Sequence, residues 1–369
     1  MSRGIFKAVA CVLAVLGLAT LVTADDYRRC ATTNFCWRNR ERTQQIKYDV
    51  HILGIKNGVV TCTLDPREED PTFYPAPIVA TIGLLNSGAV YFRAEEGDAV
   101  TSKFGKRYDS AGWVLEQQAL TYDTTATLTD RKKFVVLTST NKEYEVKIIR
   151  EPALRIEHSF RGVVQTIINE EQFFNFEQHR ERQPSDSEEM WRESFGGWTD
   201  TKTFGPSALT VDVQLPQARV LWGLPEHTSG LALKRTRGAD RQYDEPYRFY
   251  NVDAYGHPLD SPNAIYGAVP FLQGHGLNSS QGVFFLNPSE MYVDLYHRDE
   301  GREGYASRWI AESGVFQMFV FAGLTPADVK AQYHGVTGLP VMPPMTAMAY
   351  HQCRWNYMTV DDVLQVNDG

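Results

Sequence analysis

The seven residues HQCRWNY, His351 to Tyr357, set two aromatic rings, an arginine and an asparagine where a short apolar run meets the start of a helix. Read by itself, Trp355 is the core aromatic of a barrel wall, with Arg354 and Asn356 as groups that support it. A second polar spot is NVD, Asn251 to Asp253, where Asp253 sits beside Tyr and Gly as turn aspartates commonly do. The chain holds 45 acidic residues. Two carboxyls about 5 Å apart would suit double displacement at a sugar carbon, one as nucleophile and one as acid/base. Spacing along the chain does not select that pair, because it does not set distance in space.

Other chemistries leave no trace. There is no G-x-S-x-G elbow, no H-E-x-x-H among the nine histidines, no paired C-x-x-C and no P-loop. The GHG at Gly274 to Gly276 lacks the third glycine and the helix of a dinucleotide fingerprint. A metal site is therefore not expected.

The elements that must position these residues follow from composition and texture. At 369 residues with 43% hydrophobic content, the chain can bury one large core or two to three smaller ones. Aromatics at 12%, rich in Tyr and Phe, lean toward β-structure. Arg3 and Lys7 precede an apolar run from Ala8 to Val22, closed by small residues and Asp25-Asp26. That is the layout of a cleaved secretory signal over residues 1–24, leaving no membrane span after cleavage. The net charge of -8 becomes more negative once the signal is lost, which argues against nucleic acid as a partner. In an oxidising compartment Cys30 and Cys36 in CATTNFC can close a small disulfide loop. Cys62 and Cys353 lie in apolar contexts and are expected to be buried and unreactive. NSS at Asn278 is a glycosylation sequon.

From Ile46 to about Leu324 short alternating runs are broken by Gly, Pro, Asn or Asp. In ALTVDVQL, Leu209, Val211, Val213 and Leu215 share one face while Thr210, Asp212 and Gln214 share the other. Many such runs predict a mainly β domain, a sandwich or barrel, over residues 25–335. The mixed-charge stretch from Glu177 to Ser194 reads as an exposed loop. Thr325 to Tyr333 predict a short helix with Pro326 in its first turn, and the Gly/Pro-rich stretch after it reads as a linker. Residues 336–369 then read as linker, a buried strand in TAMAYHQCRW, and a helix in TVDDVLQV with Thr359 as cap and Asp362 three residues on. A lone strand–helix unit needs neighbours on both its edges and its faces.

In order, WGLPEHTSGLALK, EPYRFYNVDAYGH, AIYGAVPFLQGHG, GVFFLNPSEMYVDL, WIAESG and AMAYHQCRWNY closely resemble the α-glucosidases of glycoside hydrolase family 31. The likeness runs from the signal to the last residue. It implies a galactose-mutarotase-like β-sandwich followed by the first β/α unit of an incomplete (β/α)8 barrel, with HQCRWNY at the carboxyl end of the first barrel strand. It further implies an endoplasmic reticulum lumen enzyme that trims α-1,3-linked glucose from N-glycans with retention. No metal or organic cofactor is implied, and a mannose-binding β-subunit is implied as partner. By the same resemblance Trp355 lines the subsite of the released glucose and Asp253, on a sandwich loop over the barrel mouth, hydrogen-bonds its hydroxyls. Glu226 and His227 in LPEH take a structural role.

The family's nucleophile lies in a W-x-D-M-N-E-like segment downstream of the first barrel strand, with the acid/base aspartate further on. Neither segment falls within the sequence, so no catalytic carboxylate is expected before Gly369 and this polypeptide is expected to be inactive alone. The competing expectation is a non-catalytic sandwich that binds carbohydrate or a subunit. A lectin unrelated to hydrolases fits the composition but leaves HQCRWNY unexplained.

Overall fold

The computed structural model describes residues 28–67, 74–254, 256–298 and 302–369; the expected signal, residues 1–24, lies outside them. Alternating apolar runs pair antiparallel into two large sheets. The eight-stranded sheet runs in spatial order Tyr48–Lys56, Val59–Pro66, Ile78–Leu84, Val90–Glu96, Phe316–Gly323, Ser280–Phe285, Phe271–His275 and Val220–Gly223. The ten-stranded sheet runs Tyr247–Phe249, Met291–His297, Tyr305–Ala311, Leu209–Leu215, Val163–Ile168, Arg155–Phe160, Tyr144–Ile149, Phe134–Thr138 and Thr127–Arg131, and Asn175–Phe176 pairs with Leu209–Leu215 off that path.

The core lies between the sheets because each presents one apolar face of its period-two strands. Val60, Cys62 and Ile82 come from the first sheet; Val146, Val211 and Val213 come from the second. Phe92, Phe174 and Phe316 meet at centroid distances of 4.8–5.7 Å, and Phe285 packs edge-on to the fully buried Trp309 at 6.0 Å. Leu209–Leu215 shows the alternation read from ALTVDVQL, but its polar face is buried too. The Thr210 hydroxyl donates to the Phe173 carbonyl at 2.6 Å, and the Asp212 carboxyl accepts the Glu171 and Phe173 amides at 2.9 and 3.1 Å.

The short helix Asn34–Arg40 packs on the second sheet through Phe35, whose ring lies 5.8 Å from that of Tyr292. Its arginines carry the fastening: Arg38 pairs with Glu177, and Arg40 is bidentate to Asp294 at 2.9 Å per bond. Cys30 and Cys36, 5.1 Å apart at Cα, are joined as a disulfide that ties the 3₁₀ turn Cys30–Thr32 to this helix. Chain-entropy scaling for so short a loop gives about 2 kcal/mol. Urea unfolding of the Cys30→Ser, Cys36→Ser double variant is therefore expected to lose about that much stability; an unchanged midpoint would show that the arginine pairs alone hold the helix.

The stretch from Glu177 to Ser194 corrects the exposed-loop expectation. Gln178, Arg180, Trp191 and Glu193 are buried. Arg180 is bidentate to Asp186 at 2.7 Å per bond, the Trp191 indole N–H donates to Asp186 at 3.1 Å, and Arg28 pairs with Glu193. Mixed charge reads as solvated when each charge is counted singly, but here opposite charges neutralise one another on a folded surface.

Pro326–Thr337 forms a helix one turn longer than expected, capped by reciprocal bonds between Thr325 and Asp328. Val329 is buried and Tyr333 stacks on Phe271 at 4.4 Å. One compact unit ends at Thr337 and a second comprises Gly338–Gly369. In the second, Val360–Asp368 is helical with the capping box of Thr359 and Asp362 read from the sequence. The buried strand expected in TAMAYHQCRW does not form. Met345–Met348 is a 3₁₀ turn and 349–359 is irregular; a strand exists only by its ladder, and the described residues of the second unit, 338–369, offer none. Cys353, expected to be buried, is exposed for the same reason, whereas Cys62 is buried and burial pushes its thiol up to about 12.

Candidate sugar-facing site

Asp253 lies on an irregular loop that leaves the strand Tyr247–Phe249, and a chain of backbone bonds holds the loop in place. The Val252 amide donates to the Ile265 carbonyl at 2.7 Å, and the Ile265 amide donates to the Glu226 carbonyl at 3.3 Å. Glu226 and Gly267 bond reciprocally: the Glu226 amide donates to the Gly267 carbonyl at 2.9 Å, and the Gly267 amide donates to the Glu226 carboxylate at 2.7 Å. A Cβ at 267 would meet the Glu226 carboxyl carbon at 2.9 Å, so a larger residue there would displace that side chain from its bond. His227 braces the same corner. Its Nε2 lies 3.0 Å from the Gly223 carbonyl, its Nδ1 accepts the Ser229 amide at 3.2 Å, and its ring lies 5.0 Å from that of Tyr247. Burial lowers its pKa, so the neutral tautomer with the proton on Nε2 satisfies both contacts.

Asp253 opens into a cleft of about 490 Å³. Two ion pairs line it: Arg28 with Glu193, and Arg248 with Glu290 at 2.8 Å. Above them stand three aromatics, Phe195, Trp198 and Tyr250. The Arg248 guanidinium lies 4.6 Å from the Tyr250 ring centroid, and that of Arg28 lies 5.3 Å from the Phe195 ring centroid. The remaining polar side chains are Asp200, Asn251 and Asp253, all exposed. Flat faces with carboxylate and amide groups at their edges fit pyranose rings, which present apolar C–H faces and equatorial hydroxyls.

Sequence reasoning reached Asp253, Glu226 and His227 but missed Phe195, Trp198, Asp200 and Tyr250. A signal existed in FGGW, because two glycines between flanking residues mark a two-residue hairpin turn. Gly196 and Gly197 have φ of +58° and +87°, and Phe195 pairs with Trp198 across the turn.

Trp355 stands in the second unit and is 97% exposed. Nearby, the Arg354 guanidinium lies 4.8 Å from the Tyr357 ring centroid and its Nε donates to the Asn356 carbonyl at 3.1 Å. Asn278 is exposed in the turn between Phe271–His275 and Ser280–Phe285. Among the described residues, no group of three or more His, Cys, Asp or Glu side chains is placed to hold a metal ion.

Comparison with known proteins agrees with this architecture. The chain is 28% identical to glucosidase 2 subunit alpha of Schizosaccharomyces pombe over 98% of its own length and 42% of that protein. It is 32% identical to a probable glucan 1,3-alpha-glucosidase of Oryza sativa over 94% of its length and 38% of that protein. The crystal structure of a DNJ-bound glucosidase II alpha subunit superposes with a TM-score of 0.86 at 30% identity, covering 94% of this chain and 41% of that one. The crystal structure of an ER glucosidase II heterodimeric complex of catalytic subunit and the binding domain of regulatory subunit gives a TM-score of 0.85 at 30% identity, covering 93% of this chain and 40% of that one. The chain thus spans about two fifths of the length of these relatives. Residues 79–294 match the glycosyl hydrolase 31 N-terminal galactose mutarotase-like domain, and the chain belongs to that α-glucosidase family.

Proposed function

We propose that this chain supplies the sugar-facing amino-terminal part of an α-glucosidase of the glucosidase II α-subunit type, acting on α-1,3-linked glucose of N-glycans with retention. The observation that carries the reading is Asp253. It is an exposed carboxylate that makes no hydrogen bond or ion pair among the described residues, on a loop whose backbone is fixed through Ile265, Glu226 and Gly267. Its carboxylate is solvated and accessible in the cleft, beside Trp198 and Tyr250, where a sugar hydroxyl can reach it. The loop binds the glucose being released; Trp355, in the second unit, is proposed separately as a sugar-stacking ring on the likeness of HQCRWNY alone. The nucleophile and acid/base belong to the catalytic barrel of the longer relatives, and the protein chemistry needs no metal or organic cofactor.

An α-subunit of this type works with a glucosidase II β-subunit in the endoplasmic reticulum lumen, and the heterodimeric relative supports that partnership. The Cys30–Cys36 bond fits an oxidising lumen. Asn278 is accessible for glycosylation.

The test is Asp253→Asn in the enzyme at the full length of its relatives, assayed on an α-1,3-linked glucose disaccharide. A hydrogen bond to a charged group is worth about 1.5–3 kcal/mol. kcat/KM should therefore fall about 10- to 100-fold, at an unchanged thermal midpoint. Equal kcat/KM in variant and parent would remove Asp253 from the site and the reading with it.

A further inference from the structure

We propose that the hairpin of Arg192–Phe195 and Trp198–Thr201 is a platform for the sugars on the leaving side of the scissile bond. Trp198 is its stacking face, and Asp200 its hydroxyl acceptor. The proposal rests on the reading of Asp253 above. If Asp253 holds the glucose being released, the other aromatic faces of the same cleft fall to the sugars attached to it.

Three observations carry this. First, Trp198 is 81% exposed; Trp113 and Trp355 are exposed as well, but Trp198 is the tryptophan that lines the cleft of Asp253, where an indole left in water has a hydrophobic gain to make on binding. Second, the hairpin is held at its base. A lone two-stranded hairpin is marginal in water. Here the Asn34 side chain donates to the Glu189 and Arg192 carbonyls at 2.7 and 3.1 Å, and the Asn34 amide donates to Glu193 at 2.7 Å. The Lys202 amide donates to the Trp191 carbonyl at 2.8 Å. The Gly196–Gly197 turn therefore presents Phe195 and Trp198 from a fixed support, with little ordering entropy left to lose on binding.

Third, the polar groups around these rings are unused. Among the described residues the side chains of Asp200, Asn251 and Asp253 make no hydrogen bond or ion pair, although Arg248–Glu290 and Arg28–Glu193 beside them are paired. The polar cleft on the outer face of the ten-stranded sheet is different. There Glu171 already accepts from Tyr296, Gln214 and Arg308, and Asp294 already accepts from Arg40 and Thr236. A network closed on itself holds a fold together, while unpaired groups at the edge of an exposed ring await hydroxyls. Two exposed carboxylates with no free cation among the described residues of the cleft's polar rim select a neutral glycan over an acidic one.

The test uses the 369-residue chain, ¹⁵N-labelled, and follows the indole N–H signals of its seven tryptophans. Trp198→Phe assigns the Trp198 signal. The probes are an oligomannose glycan ending in α-1,3-linked glucose, an α-1,3-linked glucose disaccharide and a lysine-rich peptide. The expected result is a saturable shift of the Trp198 signal with the glycan and little with the disaccharide. In the full-length enzyme, Trp198→Ala should then raise KM for the glycan about 3- to 10-fold, the size of one aromatic contact, and leave the disaccharide unaffected. A Trp355 shift with Trp198 silent overturns the platform and leaves the released-glucose reading standing. Equal Trp198 shifts with glycan and disaccharide move the residue to the glucose side and overturn the leaving-side assignment. A Trp198 shift with the peptide alone overturns the choice of ligand. Silence at both tryptophans with both sugars overturns this proposal together with the reading beneath it.

Discussion

Replacing Arg107 by leucine is expected to cost about 3–5 kcal/mol of stability, the usual penalty for stranding one partner of a buried ion pair. Arg107 and Glu96 expose only 2% and 1% of their side chains, and their bond is 2.8 Å. The guanidinium also donates to the Ser207 carbonyl at 2.8 Å and to the Glu177 carbonyl, and it lies 4.5 Å from the Phe176 ring centroid. One side chain thus ties the end of strand Val90–Glu96 to both ends of the excursion between Phe176 and Ser207. Leucine removes every one of these bonds and leaves a buried carboxylate whose remaining contacts are the His179 amide, at 2.7 Å, and the His179 Nδ1, at 3.8 Å. Domains are stable by only about 5–15 kcal/mol, so the loss is a large fraction of the total.

The second variant, Arg107→Leu with Glu96→Leu, should recover much of the loss because no unpaired charge stays behind. Urea unfolding of both variants checks this. If the single variant loses less than about 1 kcal/mol, the pair is not the structural clamp described. The functional consequence is separate from stability. The excursion carries the hairpin of Trp198, so the single variant should also weaken any glycan contact made there.

Stability is expected to fall as pH drops from 6.5 to 4, by about 3 kcal/mol from His158 alone, since each tenfold change in proton affinity is worth about 1.4 kcal/mol. His158 is buried on strand Arg155–Phe160, with Nε2 3.0 Å from the Gly88 carbonyl and its ring stacked near Tyr144 at 6.1 Å. Its Nδ1 is buried without a partner, so a second proton there would be a charge with no acceptor. Burial accordingly lowers its pKa from 6.5 to about 4, and the Gly88 bond only partly offsets this.

Above pH 6.5 the ring is neutral in both states and contributes no slope. Between 6.5 and 4 the unfolded chain takes the proton and the folded chain does not, so acid favours unfolding. Below 4 both are charged and the loss is complete. Asp212 works in the opposite sense. Its carboxyl is raised from 3.8 to about 6 by burial and by the neighbouring Glu171 charge, so its contribution is present below 3.8 and is lost as pH rises through 6. The measurement is therefore a difference: urea unfolding of parent and His158→Gln at about pH 7.5, 6, 5 and 4. Asp212 cancels, and the variant should lack the loss that His158 imposes. Parallel curves would mean that the buried ring titrates normally.

Much of the architecture was readable from short-range pattern. Leu209, Val211, Val213 and Leu215 face the core because a strand alternates every residue, and the Thr359–Asp362 box caps a helix because both groups lie within one turn. The same holds for Pro326 in the first turn of its helix. Glu226 and His227 were placed as supports through likeness to a family, and the bonds to Gly267, Gly223 and Ser229 show how they act.

Where local pattern misled, the deciding partner was remote. TAMAYHQCRW has the apolar content of a buried strand, but a strand exists only by its ladder, and none is offered in the second unit. Glu177 to Ser194 has the composition of a solvated loop. Its charges are neutralised by Arg38 and Arg28, far away in the chain, as well as by Arg180 reaching Asp186 within it.

What the sequence by itself determined is therefore the alternating strands of the sandwich and the Thr359–Asp362 cap, together with a carboxylate in a loop that resembles a sugar-binding one. Tertiary structure alone decided that Trp198 shares a cleft with Asp253. The physical reason is range: periodicity and capping arise between residues a few positions apart. The company a side chain keeps across about 50 or more positions depends on how two sheets close over one core.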